Sequence, residues 1–239
     1  MPRPKGQTTV FRPALTSQHG FEPVLSALTL RGLERRLGMA VKRSIDVTVA
    51  GGALLLLLPL LALVAATVWM GDGKSPIFRH TRLGRNGRPF GCLKFRTMVV
   101  DAEAALAAHL AANPAARAEW AATHKLTDDP RVTALGRVLR KTSLDELPQL
   151  VNVLRGDMSL VGPRPIVQAE VAHYGAAFTP CFSVPPGVTG LWQVSGRSDT
   201  TYEERVALDL DYAAHWSLKR DLIILVRTVP AVFAQRGSR

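Results

Sequence analysis

The longest apolar stretch of the chain runs from residue 45 to about residue 70, and Leu54–Leu58 form an unbroken run of leucines inside it. About 20 such residues are enough to cross a bilayer, so one transmembrane helix is the simplest interpretation. Pro59 lies in the middle of the stretch, where it removes a backbone hydrogen bond and kinks a helix. The pattern therefore predicts two helical halves separated by a break.

Basic residues at both ends of this stretch argue against a simple crossing. Residues 1–100 contain 15 Lys and Arg but only 4 Asp and Glu, so the whole net charge of +11 lies in this part of the chain. Lys and Arg mark the cytoplasmic side of membrane segments, and a spanning helix would leave one basic cluster outside. We therefore expect a re-entrant segment that returns to the same leaflet, with its basic flanks on anionic lipid. The flanking residues are Arg31, Arg35, Arg36, Lys42 and Arg43 before the stretch, and Lys74, Arg79, Arg82, Arg85 and Arg88 after it.

Positive charge also suits nucleic acid, but other features of the composition favour lipid. Only 6% of the residues are aromatic, so platforms for base stacking are not evident and no nucleic-acid partner is expected. The two cysteines, Cys92 and Cys181, form neither a disulfide framework nor a zinc motif. They are expected to be free thiols in a reducing cytosol.

The pattern around this stretch predicts an α+β fold that is mainly helical. Residues 1–25 are expected to form a mobile basic tail, and residues 26–72 a membrane-surface helix (26–43) followed by the re-entrant helix. Residues 73–239 are expected to form one cytoplasmic catalytic domain. Within it, Asn86-Gly87 predicts the turn of a small β-hairpin, and the Ala-rich run 101–112, closed by Asn113-Pro114, predicts a helix.

A second apolar pattern lies near the C-terminus. Apolar residues recur there at helical spacing, and basic residues surround them. The run is too short and too charged to span a membrane, so it predicts a helix that either packs on the core or lies at the membrane interface. Pro230 is expected to kink it. The apolar positions are Leu222, Leu225, Val226, Val229, Val232 and Phe233, and the basic ones are Lys219, Arg220, Arg227 and Arg236.

The residues with the clearest chemical potential are the adjacent carboxylates Asp145 and Glu146. They precede an apolar, helix-like stretch, where free backbone N–H groups and the positive end of the helix dipole attract phosphate. Arg140 and Lys141 precede them, and Arg164 lies between two prolines that hold its backbone extended. This arrangement suits a polyphosphate ligand.

The same residues could also have a purely structural role at the start of a helix. Ser143-x-x-Glu146 also fits a capping box, in which Glu146 only satisfies the start of a helix. Pro148 fits better in the first turn if Asp145 is the N-cap residue. The sequence does not decide between these two helix starts.

Several long motifs, in order, resemble those of one known family over about residues 40–235. They are Lys42-Arg-Ser-Ile-Asp46, Arg82-Leu-Gly-Arg-Asn-Gly-Arg-Pro-Phe90, Lys94-Phe-Arg-Thr-Met98, the block from Asp129 through Leu150 to Pro165, and Pro186-Gly-Val-Thr-Gly-Leu-Trp-Gln-Val-Ser-Gly-Arg197. The chain resembles the bacterial sugar transferases, monotopic polyprenyl-phosphate sugar-1-phosphate transferases that prime exopolysaccharide synthesis. The resemblance also implies the re-entrant topology, at the inner membrane of a bacterium with the catalytic domain facing the cytoplasm.

The resemblance implies a donor, an acceptor and a mechanism. The donor would be a UDP-sugar, such as UDP-galactose or UDP-glucose, and the acceptor undecaprenyl phosphate. Asp145 would attack the β-phosphorus, release UMP and hold the sugar phosphate as an acyl phosphate. Glu146, together with Asp145, would bind Mg²⁺, or Glu146 would handle a proton. Arg140 and Arg164 would neutralise charge on the phosphoryl oxygens.

The remaining candidates rest on shorter matches. Lys94 and Arg96 are expected to contact phosphate, and Asp129, with its neighbour Asp128, is expected to cap a helix rather than approach the metal. Two alternatives from other classes are a non-catalytic basic scaffold on the membrane surface and a nucleic-acid-binding module on a membrane anchor. The identity of the sugar and the oligomeric state, including a homo-oligomer, are left open by the sequence.

Overall fold

A computed structural model describes residues 22–123, 126–196 and 200–233 of the chain. These residues are mainly helical and include two small sheets, which confirms the predicted balance of helix and strand. Most of the predicted basic tail lies outside the described residues. Its last part, residues 22–25, already belongs to the first helix.

The elements follow one another in this order. The first half contains α1 (Glu22–Asp72), β1 (Ile77–Leu83), β2 (Pro89–Phe95), α2 (Ala102–Ala112), α3 (Pro114–Thr123) and α4 (Ala134–Lys141). The second half contains α5 (Gln149–Arg155), β3 (Ser159–Val161), α6 (Val171–Tyr174), α7 (Phe178–Cys181), β4 (Gly187–Thr189), α8 (Leu191–Ser195), α9 (Tyr202–Ala214) and α10 (Leu218–Phe233). Short 3₁₀ turns connect some of them.

The chain divides into two compact units, Met1–Ala40 and Val41–Arg239. In the first unit, Leu33 and Leu37 on α1 are exposed. In the second unit, α1 buries a few residues, such as Val64 and Val68, against the protein.

The leucine run of α1 is largely bare of protein contacts. Leu55 and Leu56 are 78% and 81% exposed, which leaves apolar surface that only a non-aqueous environment would cover. By length and composition, residues 33–72 form the one helix in the described part that is able to cross a membrane. Membrane association through α1 is consistent with both observations.

The helix α1 continues through Pro59 without interruption. The predicted break is therefore not present in the secondary structure. A proline removes one N–H donor, whereas the leucines on both sides favour helix, so the loss of one bond does not end the element. The re-entrant path through a bilayer stays a prediction.

The β-hairpin is confirmed. β1 and β2 pair in antiparallel register, with Ile77 opposite Phe95 and Leu83 opposite Pro89. Asn86 and Gly87 both have positive φ, of 57° and 72°, in the connecting turn. Asn and Gly tolerate this left-handed conformation better than other residues, which is why the dipeptide predicts the turn.

The Ala-rich helix is also confirmed, as α2 from Ala102 to Ala112. The chain does not become a loop after it. Asn113 Oδ1 accepts a hydrogen bond from the backbone N–H of Ala116, 3.1 Å away, and a further helix, α3, starts at Pro114. Proline is well suited to the first turn of a helix, so Asn113-Pro114 both ends one helix and begins the next.

The C-terminal helix α10 has two apolar sides. Ile224 is buried in the core and Leu225 packs against it, whereas Leu222, Val226 and Val229 are exposed. Packing on the core, one of the two predicted alternatives, is thus observed for one side. For the exposed side of α10, contact with the membrane interface stays a prediction.

A buried ion pair joins α1 to α10. Lys42 Nζ lies 2.6 Å from Asp221 Oδ2 and also donates to the carbonyl of Val161 at 2.9 Å. The hydroxyl of Tyr212 and the indole N–H of Trp216 donate to the same aspartate. Every charge is therefore compensated, as buried ions require.

The side chain of Asn152 connects the hairpin to α5. It is fully buried, and its Oδ1 accepts the Leu93 N–H at 2.9 Å while its Nδ2 donates to the Gly91 carbonyl at 2.8 Å. Nδ2 also donates to Asp157 at 3.1 Å. One carboxamide thus satisfies backbone groups of β2 that no strand partner reaches on that side.

Replacing Asn152 with Leu tests this connection. The leucine side chain has about the size of the asparagine side chain but makes no hydrogen bonds, so the Leu93 N–H and the Gly91 carbonyl are left buried without partners. This loss is expected to lower the free energy of unfolding by about 2–5 kcal/mol. Thermal unfolding followed by circular dichroism in detergent should show a lower midpoint. Gln168→Leu, a change of the same kind at an exposed site, should unfold like the wild type, and an equal midpoint for Asn152→Leu would refute the role of Asn152.

Candidate active site

The two carboxylates lie in a sharp turn between α4 and α5. After α4 ends at Lys141, Ser143 adopts a left-handed conformation with φ of 57°, and Leu144–Glu146 form a 3₁₀ turn. This conformation is uncommon for a residue with a Cβ atom, and such residues concentrate at functional sites.

Both predicted helix starts at this turn are wrong. The side chain of Ser143 caps nothing, and α5 begins only at Gln149, with Pro148 as its N-cap residue. Neither Ser143 nor Asp145 therefore fills the N-cap position of α5. The carboxylates of Asp145 and Glu146 are not needed to cap a helix and are available for other roles.

Glu146 forms part of the wall of a polar pocket. Its Oε1 lies 2.5 Å from Nζ of Lys94, which β2 supplies, and its Oε2 has no hydrogen-bond partner among the described residues. Asp145, beside it, is 8% exposed and receives no hydrogen bond from any other described residue. The pocket is lined by Arg82, Cys92, Lys94, Glu146, Gln149, Arg164, Pro165, Gly187, Val188 and Gln193.

Another wall of this pocket comes from β4 and from the segment that follows β3, and these two strands pair with each other. They are parallel, with Ser159 opposite Gly187, and the Gly187 N–H donates to the Pro163 carbonyl at 2.8 Å. A Cβ atom on Gly187 would lie 2.1 Å from the Gly162 nitrogen, so only glycine permits this approach. The contact places Arg164 next to the pocket.

Lys94, Arg140 and Arg164, three of the four predicted phosphate-binding residues, lie around the carboxylates. Lys94 and Arg164 line the pocket. Arg140 donates from Nε to Thr97 Oγ1 at 2.9 Å and lies close enough for its charge to lower the pKa of Asp145.

Arg96, the fourth predicted phosphate ligand, lies apart from this group. It forms an ion pair with Asp72 at the end of α1 and donates to the carbonyl of Ser75. Its charge is therefore already neutralised in a structural contact.

Asp129 does not cap a helix. Its carboxylate accepts hydrogen bonds from the backbone and guanidinium of Arg131, and Thr133 is the residue that caps α4. Among the described residues no group of three His, Cys, Asp or Glu side chains lies together at metal-binding distance. Neither Asp129 nor Asp128 is therefore part of such a group.

Arg82, Gln149 and Gln193 line the pocket but were not among the predicted site residues. Arg82 was instead predicted to be one of the basic residues on anionic lipid. Each of the three lies within a motif of the resemblance, yet no spacing rule distinguishes it from its neighbours. Arg82 is largely buried, and burial followed by the charge of Arg164 lowers its pKa. Arg82 also lies 3.5 Å from a carboxylate oxygen of Glu170. Two partly buried cations that act on each other favour an anionic ligand between them.

The surroundings give the two carboxyl groups different pKa values. Burial is the main cause that raises the pKa of Asp145 to about 6; Glu146 raises it further, whereas Lys94 and Arg140 lower it. For Glu146, burial is opposed by the charge and hydrogen bond of Lys94 and by the charge of Arg164, and the pKa is lowered. Two adjacent groups with separated pKa values are typical of two different chemical roles.

The carboxylates also suit a magnesium ion. Mg²⁺ is usually held by one or two carboxylates together with substrate phosphates and water, so it does not need a cage of protein ligands. Glu146 Oε2 is free in the described structure, and Asp145 lies next to it in sequence. These two residues would hold the ion.

Comparison with known proteins agrees with this site. A family model described as "Bacterial sugar transferase" matches residues 37–235 and therefore includes α1 from residue 37 and the whole pocket. The chain belongs to the bacterial sugar transferase family. Family membership makes it a transferase.

Individual bacterial sugar transferases match over most of this chain. "Exopolysaccharide production protein ExoY" of Rhizobium meliloti is 51% identical over 207 residues, which are 87% of this chain and 92% of that protein. "UDP-galactose-lipid carrier transferase" of Erwinia amylovora is 50% identical over 83% of this chain, but only 41% of that protein is matched. "UDP-glucose:undecaprenyl-phosphate glucose-1-phosphate transferase" of Caulobacter vibrioides is 42% identical over 80% of this chain and 69% of its own length.

The charges around Asp145 predict a pH dependence of transferase activity. A carboxyl group that acts as nucleophile or base must be ionised, so log(kcat/KM) should fall as the pH drops through about 6. Lys94→Met removes a charge that lowers the pKa of Asp145, so this limb should move to higher pH. Glu146→Gln removes a charge that raises the pKa, so the limb should move to lower pH.

The midpoint of the limb is informative even if the variants are slow, because it does not depend on the maximal rate. Lys219→Met changes an exposed lysine on α10 and should leave the midpoint unchanged. Shifts of the same sign in Lys94→Met and Glu146→Gln would exclude Asp145 as the group that titrates.

Proposed function

We propose that this chain transfers a sugar 1-phosphate from a UDP-sugar to undecaprenyl phosphate, with release of UMP, as a priming step of exopolysaccharide synthesis. The observation that carries the proposal is the pair of carboxylates beside a pocket lined by Arg82, Lys94 and Arg164. A scaffold has no need of a buried carboxylate that receives no hydrogen bond from another described residue and lies beside a pocket with three cations. The names of the relatives from Erwinia amylovora and Caulobacter vibrioides point to the same donor and acceptor classes.

In the first step, a carboxylate oxygen of Asp145 attacks the β-phosphorus of the donor. A bond forms between this oxygen and phosphorus, the phosphoanhydride bond breaks, and UMP leaves with the bridging oxygen. The product on the protein is an acyl phosphate that carries the sugar. Burial of Asp145 favours this attack, because a poorly solvated carboxylate is the better nucleophile.

In the second step, an oxygen of undecaprenyl phosphate attacks the same phosphorus. The acyl phosphate bond breaks, Asp145 returns to a carboxylate, and the sugar is left on a lipid diphosphate. The acyl phosphate preserves the energy of the broken anhydride, so this transfer remains feasible. Arg164 and Lys94 neutralise the phosphoryl oxygens in both steps.

Bound Mg²⁺ would supply further positive charge to the phosphate oxygens. Glu146 would hold the ion through its free oxygen, while Lys94 keeps Glu146 ionised. Lys94 thus acts both on the carboxylate and on the substrate phosphate.

The proposed place of action is the cytoplasmic face of a bacterial inner membrane. Bare leucines on α1 and the exposed Leu222, Val226 and Val229 on α10 offer two apolar surfaces to lipid. The excess of Lys and Arg in residues 1–100 favours contact with anionic head groups. An acceptor lipid would reach the pocket from the same membrane.

Mixing the protein with Mg²⁺ and UDP-sugar alone tests the order of events. UMP should appear in a burst of at most about one equivalent, and the protein should carry a sugar phosphate that alkali or hydroxylamine removes. Asp145→Asn should show neither, since an amide is a poor nucleophile, although it should fold like the wild type.

Glu146→Gln serves as the comparison, because it should slow transfer and alter the Mg²⁺ response without removing the nucleophile. Release of UMP only in the presence of polyprenyl phosphate, with no trapped adduct, would replace the covalent route by a ternary complex. Near-normal turnover of Asp145→Asn would contradict any catalytic role of Asp145.

The re-entrant topology is tested by labelling in intact cells. Single cysteines replace Arg36 and Lys74, both exposed, in a chain whose buried Cys92 and Cys181 are changed to Ala. Both sites should be protected from an impermeant thiol reagent, because both should face the cytoplasm. Labelling of one site alone would show a spanning helix. Pro59→Leu, which restores a backbone hydrogen bond, should shift the labelling toward that pattern.

A further inference from the structure

The guanidinium groups of two arginines lie over the indole ring of Trp192 on α8. The Cζ atom of Arg164 lies 5.5 Å from the centroid of the Trp192 ring, and that of Arg205, in the first turns of α9, lies 4.9 Å from it. The two cations are therefore no more than about 10 Å apart. Arg205 is 41 positions beyond Arg164 in the chain, yet both guanidinium groups lie over the same indole.

Neither guanidinium group has a carboxylate within ion-pair distance among the described residues. Arg164 forms no ion pair there and its guanidinium makes no hydrogen bond. Arg205 donates only to the hydroxyl and the carbonyl of Thr200, at 3.3 Å each, and these are neutral acceptors. Two unpaired cations on one ring repel each other, and an anionic ligand would remove that cost.

Trp192 contributes its ring faces rather than its N–H group. The residue is 6% exposed, and its buried Nε1–H has no acceptor among the described residues. A tryptophan that is retained for a hydrogen bond would have satisfied this donor. Its electron-rich faces attract guanidinium groups, which fixes the position of both arginines.

The start of α9 is held rigidly, so Arg205 is well placed. Thr201 and Glu204 form a reciprocal capping box around the first turn. One turn beyond Arg205, Asp209 is 1% exposed and accepts the hydroxyl of Tyr174 at 2.8 Å. A side chain on such a helix loses little entropy when it binds a ligand.

The charges of the same two arginines both act on Tyr202. Burial, followed by Glu170, raises the pKa of Tyr202 to about 12, and the charges of Arg164 and Arg205 partly oppose this. Arg164 lines the pocket beside Glu146, and Gln193, the residue after Trp192, lines it too. The positive charge of Arg205 therefore lies at the same end of the protein as the carboxylates.

We propose that Arg205 is a further substrate-binding residue that acts with Arg164 across Trp192 to bind the diphosphate of the nucleotide donor. Arg164, which lines the pocket beside Glu146, contacts the phosphate that is transferred. Arg205 contacts the phosphate that leaves in UMP. Trp192 is a positioning residue for both. This assignment rests on the proposed function.

Arg205→Gln tests the assignment by separating donor from acceptor. Loss of a charge-assisted contact should raise the KM for UDP-sugar and the Kd for UMP by about 10- to 100-fold. The KM for undecaprenyl phosphate should not change, because UMP has left before the acceptor reacts. UMP binding is measured by calorimetry on the purified full-length protein, and the two KM values come from steady-state transfer.

Three variants control for structural damage. Arg155→Gln removes an equal charge at an exposed position of α5 and should behave as wild type. Trp192→Phe preserves a ring face and should retain most UMP affinity, whereas Trp192→Leu should weaken UMP binding as Arg205→Gln does. Equal weakening in Phe and Leu variants would show that the ring face is not what positions the arginines.

The outcomes separate this inference from the proposed function. An unchanged UMP Kd in Arg205→Gln would overturn it, and so would an increase in the acceptor KM alone, which would assign Arg205 to the lipid phosphate. A wild type that binds no UMP would overturn it as well. A wild type that binds UMP through Arg205 but transfers no sugar phosphate would refute the proposed reaction and leave the nucleotide site in place.

Discussion

The carboxamide of Asn152 is the contact on which the geometry of the site depends. It bonds to the backbone on both sides of Cys92 in β2 while it belongs to α5, the helix that follows the carboxylates. Leu93, whose N–H donates to it, directly precedes Lys94, and only Leu147 and Pro148 separate Glu146 from the start of α5 at Gln149. The position of Lys94 against Glu146 is therefore set by a buried polar contact rather than by the ion pair, which is partly exposed and weak by itself.

The pocket has more positive than negative groups, and these charges act differently on the two adjacent carboxyl groups. Glu146 contacts Lys94 directly and its pKa is lowered, whereas burial raises the pKa of Asp145 to about 6, so that about half of its carboxyl groups are ionised at pH 6. A bound diphosphate would add negative charge, which Arg82 and Arg164 would neutralise. The excess positive charge of the pocket therefore suits an anionic ligand.

Local features were predictable from the sequence, and long-range ones were not. Asn86-Gly87 predicts a hairpin because the conformation it requires is local. Asp145 and Glu146 were found because they are adjacent within a long motif. Arg96 shares a motif with Lys94, but its partner is Asp72, which no local rule connects to it. Arg205 was missed because only the tertiary contact with Trp192 gives it a role, and the helix persists through Pro59 because neighbouring residues outweigh one lost bond.

The proposed two-step route would explain why one small set of groups is sufficient for two substrates of opposite solubility. The nucleotide would arrive from water and the acceptor from lipid, and a ternary complex would require room for both at one phosphorus atom. If the phosphosugar first moves to Asp145, the cations that held the donor phosphate are released from UMP before the lipid phosphate enters. Arg164, which lines the pocket beside Glu146, would then serve both steps, because the transferred phosphorus would stay beside it. In the proposed assignment Arg205 would serve only the step in which nucleotide is present, and an effect on donor affinity alone would follow from that order.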